Sequence, residues 1–206
     1  MKALLLNGSP HELGCTYTAL CEVGKVLNRN GIETEVLWLG KQPIQGCVAC
    51  GGCKNTGRCV FDDGVNRLIE RLDEFDALVI GSPVYYSAPA GQLVAFLNRL
   101  FYAGGGKMAH KVAASVVSCR RGGSTATFEQ LNQYFGISNM IVATSQYWNQ
   151  VHGACPEDVL RDEEGLQTMR TLGENIAWLC RLLENGKKAG IEPPVYEPKL
   201  RTNFIR

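Results

Sequence analysis

The chain has 206 residues, 45% of them hydrophobic, which suits one domain with a sizeable core and excludes a disordered chain. A formal net charge of +1 gives no electrostatic case for nucleic acid or for a membrane surface, and no apolar run approaches the ~18 residues a membrane helix needs. The apolar start, Ala3 to Leu6, is too short for a secretory signal, so the sequence reads as a soluble, cytoplasmic protein whose nine cysteines are reduced thiols or ligands rather than disulfide staples.

Apolar runs and helical patterns alternate along the chain. KALLLN, residues 2–7, is a short continuous apolar run ending in Gly-Ser-Pro, the pattern of a buried parallel strand. A helix is expected over 16–29, with Leu20, Val23 and Leu27 on one face, and a second strand from Thr34 to Leu39. Asp62 and Asp63 supply an N-cap for a helix with Val65, Leu68, Ile69 and Leu72 on its apolar side. A third strand over 76–83 again ends in Gly-Ser-Pro; a helix over 90–101 follows, then a strand over 111–118, a helix over 124–135, a strand over 139–144 and a long helix from about 163 to 185. Five such alternations imply an α/β domain over 1–190, a parallel sheet covered by helices on both faces, with 191–206 as a C-terminal arm on this or a neighbouring subunit. Ligands of such sheets bind beyond the carboxyl ends of the strands. The loops over 8–18, 83–90, 118–124 and 145–155 are therefore the ones expected to carry chemistry.

The first loop, NGSPHELGCTYTAL, offers the hydroxyls of Ser9, Thr16 and Thr18 and the unpaired N–H groups of a helix start, an anion site of the size of one phosphate. It lacks the Gly-Lys-Ser/Thr of a Walker A loop and the GxGxxG of a dinucleotide site, and its chemistry fits the terminal phosphate of FMN; an ordinary helix start is the alternative. In the loop after the third strand, Pro83 stiffens the exit, Tyr85 and Tyr86 place aromatic surface, and the backbone can meet the polar edge of an isoalloxazine. The fourth loop, SCRRGGST from Ser118, has Gly122 and Gly123, where backbone can approach a ring closely. Arg120 or Arg121 either stabilises negative charge on a reduced flavin or is solvated. The last loop brings Tyr147, Trp148 and His152, with the aromatics placed to roof a ring or substrate.

SPHELGCT, GSPVYYSAPAGQ with the following FLNR, and CRRGGS, in this order and spacing, resemble the NADPH-dependent FMN reductase family over nearly the whole chain. That resemblance implies a flavodoxin-like three-layer sandwich with a five-stranded parallel sheet in the order 2-1-3-4-5, bound FMN, NADPH or NADH as electron donor, and homodimers or homotetramers. It also implies that Ser9, His11, Cys15, Thr16, Tyr17 and Thr18 surround the phosphate, and that Pro83, Val84, Tyr85 and Tyr86 line the flavin. Two positions depart from the family pattern: His11 stands where Arg is common, and Cys15 where Asn or Ser is common, so a weaker grip on the phosphate is expected.

GCVACGGCKNTGRC, residues 46–59, holds Cys47, Cys50, Cys53 and Cys59 in a C-x2-C-x2-C-x5-C spacing that looks like the compact cysteine motif of iron–sulfur flavoproteins. Three cysteines on one tight turn and a fourth nearby suit the corners of a [4Fe–4S] cluster. Structural zinc, which more often uses two separated pairs, a disulfide, and free thiols with Cys53 or Cys59 redox-active are the alternatives. The leading expectation is an FMN-dependent NAD(P)H oxidoreductase that passes electrons to a small acceptor. An electron carrier between redox proteins and a binding module without its cofactor are the competing ones. A cycle through an open flavin face needs no protein acid, so no catalytic residue is assigned.

Overall fold

A computed structural model describes residues 1–202 and 204 of the chain; of the expected arm 191–206, residues 203, 205 and 206 lie outside the described ones. The elements run β1 (Lys2–Asn7), α1 (Cys15–Arg29), β2 (Glu33–Trp38), α2 (Cys53–Thr56), α3 (Gly64–Arg71), β3 (Ala77–Tyr85), β4 (Ala88–Pro89), α4 (Gly91–Gly104), β5 (Val112–Cys119), α5 (Ser124–Ile137), β6 (Ile141–Val142), β7 (Gln150–His152), α6 (Pro156–Val159) and α7 (Glu163–Lys188).

The parallel order is β2-β1-β3-β5-β6, the expected 2-1-3-4-5 arrangement. Among the described residues the sheet nevertheless has seven strands rather than five. One addition is β4, which folds back antiparallel on the end of β3. The other is β7: the fifth strand expected over 139–144 is shortened to β6, which pairs with Val112 and Ala113 at the start of β5, and within the segment expected as a loop β7 pairs with Val117, Ser118 and Cys119 at the end of β5. The chain leaves the sheet between them because a side-chain knot holds the excursion. Ser145 Oγ donates within 2.7 Å of Asn149 Oδ1 and 2.6 Å of the Tyr147 carbonyl, and the buried Asn149 offers its own carbonyl to the Val117 N–H at 2.9 Å. Local alternation of apolar residues carries no trace of such a knot.

Successive residues of a strand face opposite sides, and the two faces build separate cores. Ala3, Leu5, Val79, Ala114 and Val116 pack under α1 and α7, against Leu20, Val23, Leu172 and Ile176. Leu4, Leu6, Leu78, Ile80 and Val117 pack under α3, α4 and α5, against Leu68, Leu93, Leu97 and Phe135. Because β1 starts the sheet in the middle and the chain then serves each edge in turn, the loops after β1 and β3 diverge at the strand tips and leave a crevice between them.

At the opposite end, Arg71 grips Glu35 with two N–H donors at 2.8 and 2.7 Å, and Lys2 adds a third contact at 2.9 Å. The Arg71 bond first, then the Lys2 bond, outweigh burial and draw the Glu35 carboxyl down to about 2. A carboxyl depressed in the folded state adds stability that is whole above its unfolded value near 4.3 and is lost as pH falls through the folded one. We expect Glu35→Gln to cost about 1–2 kcal/mol at neutral pH, after allowance for solvent screening. It should also flatten the decline of stability between about pH 5 and pH 2, as read by urea midpoints across that range.

Candidate functional site

Four loops meet at the carboxyl tips of the sheet. The loop after β1 is folded by the buried Asn7, whose Nδ2 donates to the Glu12 carbonyl at 2.9 Å and whose Oδ1 accepts from the Ser9 N–H at 3.1 Å. Ser9 Oγ in turn accepts from the His11 N–H at 3.1 Å, and Gly8 N–H donates to Gly81 O at 2.9 Å, which ties this loop to β3. Trp38 Nε1 donates to the Ser9 carbonyl at 2.8 Å and ties it to β2. Gly14 is the N-cap of α1 and no side chain caps that helix, so its first N–H groups and its positive dipole end point out of the tips.

The sequence candidates fall into two groups here. His11 is exposed, and Cys15, Tyr17 and Thr18 are half-buried around the first turn of α1, with Thr18 Oγ1 returned to the Gly14 carbonyl at 3.2 Å. Thr16 and Ser9 are buried. The Thr16 hydroxyl sits 2.8 Å from that of Ser118, which joins α1 to the carboxyl end of β5. Thr16→Val is therefore expected to leave the Ser118 hydroxyl buried without a partner and to cost about 1–2 kcal/mol of stability, measured by chemical denaturation; an unchanged midpoint would count against that hydroxyl pair. Cys15 Sγ approaches the Gly153 carbonyl at 3.7 Å, and burial pushes this thiol above its usual range.

The third loop is a hairpin. Tyr86 and Ser87, at φ of 49° and 60°, form its two-residue turn, a left-handed conformation that usually calls for Asn-Gly. Ser82 Oγ holds the hairpin to the start of α4, accepting from the Ala90 N–H at 3.0 Å and donating to the Pro83 carbonyl at 2.8 Å. Tyr85 and Tyr86 stand in solvent, Tyr86 wholly so, while Pro83 and Val84 are half-buried. The fourth loop lies directly on this hairpin. Gly123 has φ of 89°, and a Cβ there would meet Ser87 Cα at 2.9 Å and Val84 Cγ1 at 3.0 Å. Gly122 and both arginines, Arg120 and Arg121, are exposed, and among the described residues neither arginine forms an ion pair. In the last loop Tyr147 and Trp148 pack edge to face at 4.8 Å, and the exposed His152 is fixed by its backbone N–H, which donates to the α7 cap Asp162 at 2.6 Å.

These tips offer backbone donors at an uncapped helix start, two hydroxyl-bearing loops, a glycine cradle that a side chain would fill, and aromatic surface in solvent. That donor set fits a phosphorylated planar aromatic molecule, the chemistry expected of FMN.

The cysteine segment, which follows β2, does not stay at the strand tips. It leaves them after Leu39 and descends the outside of α4: Gln92 Nε2 donates to Gly40 O at 2.7 Å, and further down the helix Arg99 donates to Gln45 O at 3.2 Å. Cys47, Cys50, Cys53 and Cys59 line one small pocket with Val48, Val60, Phe61, Arg99, Tyr102 and Ala103. α4 runs back from the carboxyl end of β3 toward the start of β5, so the pocket lies beside its far half. The short α2 begins at Cys53 and is stopped by Gly57 in the left-handed region. Cys47 and Cys50 are exposed, Cys53 and Cys59 half-buried. Among the described residues no three of His, Cys, Asp and Glu form a ready ligand set. The four thiols share a pocket wall, with no carboxylate in the lining, and this soft-donor composition fits a thiolate-bound metal or cluster.

Sequence reading singles out neither Asn66 nor Arg99 for this pocket. Asn66 clamps Cys59 from both sides, accepting its N–H at 2.8 Å and donating to its carbonyl at 2.9 Å. Arg99 is buried and donates to Cys59 Sγ at 3.1 Å and to both oxygens of Asp63 at 2.7 and 2.9 Å. Burial opposes the charge on Asp63, but the Arg99 bond and the Val65 N–H outweigh it and hold that carboxyl below its usual range. Arg99 ends the FLNR stretch that carries the family resemblance, and it stands among Phe96, Leu97 and Leu100 on a helix face that is otherwise core.

Comparison with known proteins gives one consistent picture. Residues 1–154 match the family model of NADPH-dependent FMN reductase. An iron–sulfur flavoprotein of Methanocaldococcus jannaschii is 32% identical over 192 residues, 89% of this chain and all of that protein. One of Methanosarcina thermophila is 27% identical over 190 residues, 89% of this chain and 96% of that protein. Among solved structures, RosB with a bound formylriboflavin phosphate intermediate superposes with a TM-score of 0.69 at 18% identity, over 100% of this chain and 96% of that one. A flavodoxin from Archaea superposes with a TM-score of 0.61 at 15% identity, over 88% of this chain and 99% of that one. At these identities the structural likenesses establish the flavodoxin-like fold.

Proposed function

The chain belongs to the NADPH-dependent FMN reductase family, and from that premise we propose that it is a flavin oxidoreductase that binds FMN across the strand tips, draws electrons from NADPH or NADH, and holds a [4Fe–4S] cluster on Cys47, Cys50, Cys53 and Cys59. The observation that carries the second half is the gathering of all four thiols on one pocket. The names of the relatives, iron–sulfur flavoproteins, support it. When bound, FMN supplies hydride acceptance and single-electron release, and the cluster one-electron storage.

The chain's own residues supply the setting. The start of α1, with Ser9 and Thr18 beside it, takes the phosphate charge. His11 and Cys15 replace a fixed cation and a stronger hydrogen-bonding side chain, so this grip relies on backbone donors. The Tyr86–Ser87 turn and Gly123 fix the distance between the third and fourth loops, and with it the slot for the ring. Arg120 and Arg121, which pair with no carboxylate among the described residues, are available to negative charge developing beside Gly122. Tyr85 and Tyr86, unsupported in solvent, are completed by a second copy in a homodimer or homotetramer.

A protein acceptor is the second reading. The pocket rim, Val48, Val60 and Tyr102, is each more than half exposed, an apolar collar suited to a redox partner or to another subunit. Protein purified without air should contain about four iron and four acid-labile sulfide per chain, and mixing with NADPH or NADH should bleach its flavin band in stopped flow. Iron-free protein whose flavin still bleaches would leave a simple reductase. Protein whose flavin neither nicotinamide reduces, but which exchanges electrons with a reduced carrier protein, would leave the electron-carrier reading.

A further inference from the structure

Arg99 has five N–H donors, and each has an acceptor: Nε meets Cys59 Sγ at 3.1 Å, Nη1 meets Gln45 O at 3.2 Å and Asp63 Oδ2 at 2.7 Å, and Nη2 meets Phe61 O at 3.0 Å and Asp63 Oδ1 at 2.9 Å. Its carbon Cζ also lies 5.1 Å from the Phe61 ring centre. Gln45 precedes Cys47 by two residues and Phe61 follows Cys59 by two. One buried guanidinium thus fastens both ends of the cysteine segment to α4. Between those ends the segment's own backbone bonds are few among the described residues, those from Lys54, Asn55 and Gly57 within the α2 turn, so its seat against the domain depends on this clasp, on Asn66 and on the ion pair of Arg58 with Glu70 of α3.

A buried arginine with a carboxylate partner is a costly choice for stability alone, since apolar residues of similar volume often serve as well. What an apolar residue cannot do is donate to a sulfur while holding two ends of a loop. We propose that Arg99 is the positioning residue of the cluster site: it fixes Cys59 in place before the metal arrives and, once the cluster is bound, donates an N–H to the ligated sulfur and so eases the cluster's one-electron reduction. This rests on the reading of residues 47–59 as cluster ligands. Hydrogen bonds to ligand sulfur and nearby positive charge raise a cluster's potential, and partners that orient ligands are worth about 10–100-fold in metal affinity.

The test uses the full chain stripped of metal and kept free of air, with Arg99→Lys, which keeps the charge but not the fork, and Arg99→Met, which removes both. Cobalt(II) alone is the first probe. Wild type should take up one ion with thiolate-to-cobalt charge-transfer bands, and both variants should bind it at least about tenfold more weakly while FMN uptake is unchanged. After loading with iron and sulfide, the cluster potential should fall from wild type to Arg99→Lys to Arg99→Met. Equal cobalt affinity and equal potentials in all three would overturn the assignment. A wild type that takes up neither cobalt nor iron and sulfide would overturn the cluster reading itself, and is told apart because the failure precedes any substitution. Should neither variant fold, wild type carrying guanidinium-¹⁵N arginine answers the question: the reduced cluster should show a nitrogen hyperfine coupling, and its absence overturns the assignment.

Discussion

Gly123→Val is expected to abolish useful FMN binding while leaving a folded domain. Two effects add at this position. A φ of 89° is open to glycine and strained by about 1–2 kcal/mol for a residue with a Cβ. The new Cβ would also stand 2.9 Å from Ser87 Cα, a backbone atom of a two-residue turn that already carries two left-handed residues and cannot yield locally. The fourth loop must then lift off the hairpin, which widens the slot between them. A combined penalty near 3 kcal/mol corresponds to about a hundredfold weaker FMN binding, measured by quenching of FMN fluorescence. The melting temperature should drop by only about 5–10 °C, because the loops contribute little to either core. Wild-type affinity in this variant would show that the ring does not lie between these loops, and the proposed site would have to be redrawn.

Replacing single thiols of the cysteine segment is expected to have the second large effect. Serine oxygen is a harder and more weakly ligating donor than thiolate sulfur. Cys50→Ser should lower iron and acid-labile sulfide to about a tenth or less and remove the brown absorption, while the yellow flavin band persists, since the pocket lies away from the strand tips. Cys180→Ser is the contrast. That thiol is buried on α7, and burial pushes it up to about 11. The substitution should cost about 1–2 kcal/mol for a buried hydroxyl and leave the iron content alone. If each of Cys47, Cys50, Cys53 and Cys59 can be replaced without loss of iron and sulfide, the pocket does not hold a cluster.

Much of this molecule is written locally. Apolar runs such as Ala3–Leu6 and Leu78–Ile80 face a core on both sides, so they read as buried strands without knowledge of their neighbours, and the helical face of Leu93, Phe96, Leu97 and Leu100 reads equally well. The order of those elements was enough to place the loops at one end of a parallel sheet, and the cysteine spacing was enough to single out four thiols that the fold brings to one pocket. Other features depend on contacts between residues far apart in the chain. The return of the chain as β7 to the end of β5 follows from the Ser145–Asn149 knot and the Val117 bond, and the pairing of the buried Thr16 hydroxyl from a hydroxyl on β5, 102 positions away. The descent of the cysteines along α4, rather than over the tips, follows from Gln92 and Arg99, which sit on that helix at fixed heights. Residue type and periodicity determined which groups this protein carries and which way each segment faces. Only the packed chain decided which of those groups meet, because a buried donor such as the Arg99 guanidinium must find its acceptors wherever in the sequence they lie.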